Sequence, residues 1–256
     1  MATPTAPRYS RCPKCGHRSL PQDQSLPAAC PACGVILAKA GSAPPLRRPV
    51  SDRPHGEPGA LLRTLLHVPE RVDALRWWLR AALLGLLALW GLRLIALDHR
   101  EGEIGASFLH GPLLLFHEAG HVLFSPFGHW VMVAGGTLLQ LLLPLALLLV
   151  MLLKQRDPFG AAFALWLLGV SLLDVAPYVY DALQPQLTLL SGAVGVEGGH
   201  DWIYLLDSMG LQPRAQALGT LAHRFGALVV LVALGWATWL LVLQHGRIDG
   251  ELPREE

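Results

Sequence analysis

The sequence predicts an all-α, polytopic membrane protein of about five transmembrane helices, headed by a small module that holds every cysteine of the chain. Three observations predict it. Of the 256 residues, 52% are hydrophobic and only 15% charged, against about 25% charged in soluble domains. The apolar residues are gathered into runs, each approaching the roughly 20 residues a spanning helix requires. The charge is divided: residues 1–80 carry 12 Lys and Arg against 5 Asp and Glu, a net of +7, and the remainder carries a net of −6. Residues 1–60 lack the apolar core of a signal peptide, so none is expected there.

Taken in order, residues 8–40 form the cysteine module and residues 41–60, "GSAPPLRRPVSDRPHGEPGA", a flexible Pro- and Arg-rich linker. Residues 61–246 are the membrane domain. It opens with a basic stretch over 61–76, suited to the membrane surface. Apolar runs follow at about 77–97, 106–125, 131–153, 159–183 and 215–243. Trp77 and Trp78 suit an interface. Arg80, Arg93 and Arg224 do not veto the spans, because long cationic side chains snorkel or pair. The basic head predicts a cytoplasmic N-terminus for an integral protein of the membrane, the cell membrane in a bacterium. Five alternating crossings then run the second and fourth helices inward, and leave Lys154 and Arg156 on the outer side, a mild breach of the positive-inside rule.

In the head, "CPKCGHRSLPQDQSLPAACPACG" sets Cys12, Cys15, Cys30 and Cys33 in two C-x-x-C pairs, each followed by glycine. Such pairs form knuckles that close a tetrahedral thiolate site, so one structural zinc in a ribbon-like module is expected. A cytoplasmic position argues against disulfides. Four protein ligands leave no open coordination position, and the few apolar residues imply folding coupled to metal. The module's partner, whether a protein, nucleic acid or the chain's own membrane part, is not readable from these residues, and a protein is one such partner. Nucleic acid is not the expected partner, since tethering and topology already account for Arg8, Arg11, Lys14 and Arg18.

"LLLFHEAGHVLF", residues 113–124, puts three titratable groups into an apolar run, where idle ionisable residues are penalised. His117 and His121, at i and i+4, share one helix face and can hold one zinc ion. Glu118 follows as a general base, which is H-E-x-x-H chemistry. A third protein ligand is needed. "SLLDVAPYVYDA" in the fourth run offers Asp181, preferred by depth, and Asp174, about 10 Å deeper along a helix, as an orienting or proton-handling group. Pro177 can break the helix between them. "EGGHDWIYLL", residues 197–206, offers His200 and Asp201 as alternatives, although Asp201 also suits a helix start, with Trp202, Leu205 and Leu206 as an apolar face.

"FHEAGH", "FGHWVMVAGGTLLQLLLP" and "DVAPYVYDA" together resemble the three-helix core of the site-2 protease family of intramembrane zinc metalloproteases, over about residues 105–183. The resemblance implies that His117, His121 and Asp181 are zinc ligands and Glu118 the catalytic base. It also implies that Gly135 and Gly136 line the substrate path in a strand-like segment or a close helix contact. Asp181 is followed by Ala182 where the family pattern has glycine. The implied activity is that of a zinc metalloendopeptidase, a hydrolase cutting a transmembrane or membrane-proximal segment of a protein substrate within the lipid bilayer. A non-catalytic membrane adaptor that keeps the fold, with the cysteine module as its interaction surface, is the alternative. A missing third ligand would mark it.

Overall fold

The computed structural model describes residues 9–24, 27–42, 64–69 and 72–248. Residues 43–63 and 70–71, which include most of the expected linker and part of the basic stretch, lie outside the described residues. The chain divides into two compact units, 1–57 and 58–256.

The first unit is built on two matching turns. The N–H of Gly16 donates to the Cys12 carbonyl and that of Gly34 to the Cys30 carbonyl, at 2.9 and 2.8 Å. Gly16 and Gly34 both take positive φ, 75° and 70°, which glycine adopts without steric cost. Cys12, Cys30 and Leu37 form its small buried centre. Among the described residues this unit has a single isolated bridge, Ala29 to Ile36, and no extended strand.

The second unit is helical: α1 (Ala74–Ala96), α2 (His110–Phe124), α3 (His129–Leu149), α4 (Pro158–Asp181), α5 (Asp201–Ser208) and α6 (Ala215–His245). Asp73 caps α1 by accepting the Arg76 N–H at 2.8 Å, and Pro158 opens α4 where no N–H partner is needed. A wide turn over Val150–Gln155 continues α3. Four helices are long and apolar enough to cross a membrane: Ala74–Ala96, His129–Gln155, Pro158–Asp181 and Gln212–His245.

The second apolar run departs from expectation. It folds as a helix of 15 residues, about 22 Å long against a hydrocarbon core of about 30 Å. The chain before and after it also joins the bundle at one end. At that end His99, just past α1, stacks on His223 of α6 and meets Tyr180 in the last turn of α4, while Trp130 at the start of α3 donates to Ser208 of α5 at 2.9 Å. At the opposite end Arg80 of α1 pairs with Asp157 before α4 at 3.0 Å, and Trp77 donates to the Leu241 carbonyl of α6. Helices α1 and α4 therefore run in the same direction and α3 and α6 return. In this arrangement α2 enters and leaves at one end. Lys154 and Arg156 fall at the end where α1 begins, and not at the opposite end, where five alternating crossings would put them.

Helix α4 is the centre of the unit and buries most of its length. Gly169 and Gly226 let α4 and α6 meet closely: a Cβ on Gly169 would come within 2.8 Å of the Val230 nitrogen. Small residues are what permit such backbone approach between apolar helices. The helix continues through Pro177 without a break. At that point Pro177 costs one backbone hydrogen bond, and the helix runs on to Asp181.

Candidate active site and metal centres

Helices α2 and α3 cross where Gly120 meets Gly135 and Gly136. A Cβ on Gly120 would run into the Gly135 carbonyl, and one on Gly136 would lie 2.6 Å from Nε2 of both His117 and His121. The two glycines of α3 thus form a close helix contact under the histidines, not a strand. The cavity beside them is bordered instead by Met132 and Val133 of the same helix.

Both imidazoles are oriented from behind. His117 Nδ1 lies 3.0 Å from Gln140 Oε1, and His121 Nδ1 lies 2.9 Å from the Met132 carbonyl. Gln140 Nε2 donates to Asp174 Oδ2 at 2.9 Å, which turns its oxygen toward His117. Each histidine therefore carries its proton on Nδ1, leaving the Nε2 lone pair free for a ligand. Both Nε2 atoms converge on Asp201 Oδ2, at 3.0 and 3.2 Å. Ligands about 2.05 Å from a tetrahedral zinc stand about 3.3 Å apart, so the donor set and its spacing fit that ion. His117, His121 and Asp201 form one of the two groups among the described residues whose donor atoms can share a metal.

Asp201 was one of the alternatives named from the sequence, and Asp181, the preferred third ligand, is engaged elsewhere. Its Oδ1 accepts the N–H groups of Gln186 and Leu187, at 2.7 and 3.2 Å, and its Oδ2 lies 3.3 Å from His200 Nε2. His200 is the cap of α5 and accepts the Ile203 N–H through Nδ1, so it too is turned away from the pair. Asp174 serves the network from behind, bound to Gln140 and to His110 Nδ1 at 2.9 Å. The reason for the exchange is chain geometry. Asp181 ends α4 facing the following loop, and that loop returns Asp201 to the histidines at the first turn of α5.

Three supports of Asp201 were not foreseen. Tyr178 Oη accepts the Asp201 N–H at 2.9 Å, the His200 ring packs on Tyr178 with centroids 4.2 Å apart, and Asp181 Oδ2 lies 3.3 Å from His200 Nε2. Gln140 had a signal in the sequence, being a lone amide within "LLQLLLP". Tyr178 and Met132 had none.

Glu118 borders the same cavity, of about 650 Å3, together with His110, Tyr178 and the loop residues Leu187–Ser191. Arg80 is held by Asp157, and the His129 ring packs on Tyr204.

The four cysteines form the second group with convergent donors. Their sulfurs stand 3.7 Å (Cys12 to Cys33) and 3.8 Å (Cys15 to Cys30) apart. That is far beyond a disulfide bond of about 2.05 Å and close to the roughly 3.8 Å edge of a tetrahedral zinc–thiolate site. Desolvation opposes ionisation of Cys12, yet the N–H groups of Cys15 and Lys14 aim at its sulfur and bring the thiol down to about 6. For Cys15 the His17 N–H lowers the thiol, while desolvation and the crowding of neighbouring sulfurs outweigh it and push it up to about 12. Metal entering the module must displace the Cys15 proton, so affinity should rise with pH and fall progressively on acidification through about 6. Zinc titration of the His121→Ala chain, which isolates the module, with proton release followed by an indicator dye, checks this sign. Uptake without proton release would contradict it.

Compared with protein-family models, with curated proteins and with solved structures, the chain matches none, so what the site does rests on its own residues.

Proposed function

We propose that the chain is an intramembrane zinc metalloprotease, as its resemblance to the site-2 protease family implies, with His117, His121 and Asp201 as the ligands. One observation carries the reading: both Nε2 atoms and one Asp201 carboxylate oxygen converge, with Glu118 on the same cavity. Asp201 fills the third position whose absence would favour a non-catalytic adaptor. The four cysteines, whose sulfurs fit a second zinc, make the head a structural ribbon and a binding module for a protein partner.

Zinc, when bound, supplies Lewis acidity toward the scissile carbonyl and makes water a stronger acid. The remaining chemistry belongs to the chain. Glu118 takes the proton of the attacking water and returns it to the leaving amine. Gln140 and the Met132 carbonyl keep both imidazoles in the tautomer that offers Nε2. Tyr178 and His200 hold the first turn of α5 so that Asp201 meets them. The substrate is a peptide segment that is locally unwound, because a helix keeps its carbonyls in internal hydrogen bonds.

Zinc content of the detergent-purified full chain tests the reading. About two ions per chain are expected, falling to about one in His121→Ala while the cysteine site stays loaded. A folded wild-type chain with about one ion, unchanged in His121→Ala, would reject the catalytic site.

A further inference from the structure

Resting on that reading, we propose that the cavity opens on the non-cytoplasmic side of the membrane, and that its substrate is an extended peptide segment lodged in that leaflet. The first support is where the bundle puts the site. His121 meets Met132, three residues into α3, and His117 meets Gln140, eleven residues in. The metal ligands therefore lie between about 5 and 16 Å from the end of the bundle at which α3 starts. This is the end shared by the finish of α1, the finish of α4 and the start of α6, and so is opposite to the end at which α1 begins.

Charge then orients the bundle. Arg76, Arg80, Lys154, Arg156 and Arg247 belong to the end at which α1 begins, and the sequence running into α1 carries Arg63 and Arg71 besides. The other end has Arg93, Arg100, Arg214 and Arg224, set among Asp98, Glu101, Glu103 and Asp207. Basic residues flanking helices are retained in the cytoplasm, whereas acidic ones contribute little to orientation. The end with the excess is the one where α1 begins, so the zinc ligands face away from the cytoplasm.

The rim fits a peptide arriving within that leaflet. Phe108, Phe127, Leu190 and Val196 are each at least 68% exposed at this end of the bundle, an apolar edge suited to the membrane interface. Leu187–Ser191 border the cavity, so a segment lying in the leaflet reaches the histidines without crossing to the other face. Five alternating crossings would instead have put the same residues in the cytoplasmic half.

Single cysteines placed at Leu190 and at Gln155 of the full chain, probed with a membrane-impermeant maleimide, decide the matter. Leu190→Cys is expected to gain label above the unsubstituted chain in intact cells, and Gln155→Cys only after permeabilisation. The reverse pattern, or both positions reacting from the same side, would overturn the proposal. The labelling reads no cleavage, so its outcome is separate from that of the zinc content, which tests the protease reading itself.

Discussion

Replacing Asp201 by alanine is expected to weaken zinc binding at the histidine pair by more than about 100-fold, while Asp181→Ala costs about 10-fold. Removing a ligand takes away a charged donor, whereas loss of an outer partner costs roughly 10–100-fold. Asp201 Oδ2 lies within 3.2 Å of both Nε2 atoms, so its loss leaves two neutral imidazoles and an anionic position empty. Asp181 acts through His200, 3.3 Å away; without it, the cap of α5 loosens and Asp201 is held less firmly. Competition against a chelator of known affinity, with helicity followed by circular dichroism to confirm folding, separates the two. If Asp181→Ala emptied the site and Asp201→Ala did not, the ligand assignment would revert to the one preferred from the sequence.

A Glu118→Gln chain is expected to keep its zinc and lose about 10²–10⁴-fold in cleavage, the usual contribution of a positioned general base. The amide keeps the size of the side chain and its place on the cavity, but it cannot take a proton from water. A quenched fluorescent peptide carrying one transmembrane segment, mixed with the chain in detergent micelles, provides the rate. Zinc measured in the same sample divides chemistry from metal loss, since Asp201→Ala should lose both. Equal cleavage by Glu118→Gln and wild type would remove Glu118 from the reaction.

Much of this was legible in the residues. Polar groups inside an apolar run must be satisfied or used, and for that reason "FHEAGH" marked its helix before any geometry was known. The short helix after His200 was legible too, from Asp201 at its start and from Leu205 and Leu206, which the fold buries. The span of the second run was not legible. Hydropathy measures composition, and a helix that enters and leaves at one end has the same composition as one that crosses.

By itself, the sequence determined the helical class, the grouping of the four cysteines and the placing of His117 and His121 on one helix face, because each is carried by local spacing or by composition. Only the tertiary structure decided that Asp201, and not Asp181, meets the histidines. That contact joins residues 84 positions apart through a loop whose path depends on Asp181 holding Gln186, Leu187 and His200. The same holds for the direction of α4. Whether it runs with α1 or against it depends on whether α2 crosses, and that is settled by the pairing of Arg80 with Asp157 and of His99 with His223 at opposite ends of the bundle. Spacing along a chain records neighbours on one helix; it does not record which distant carboxylate a fold brings back to them.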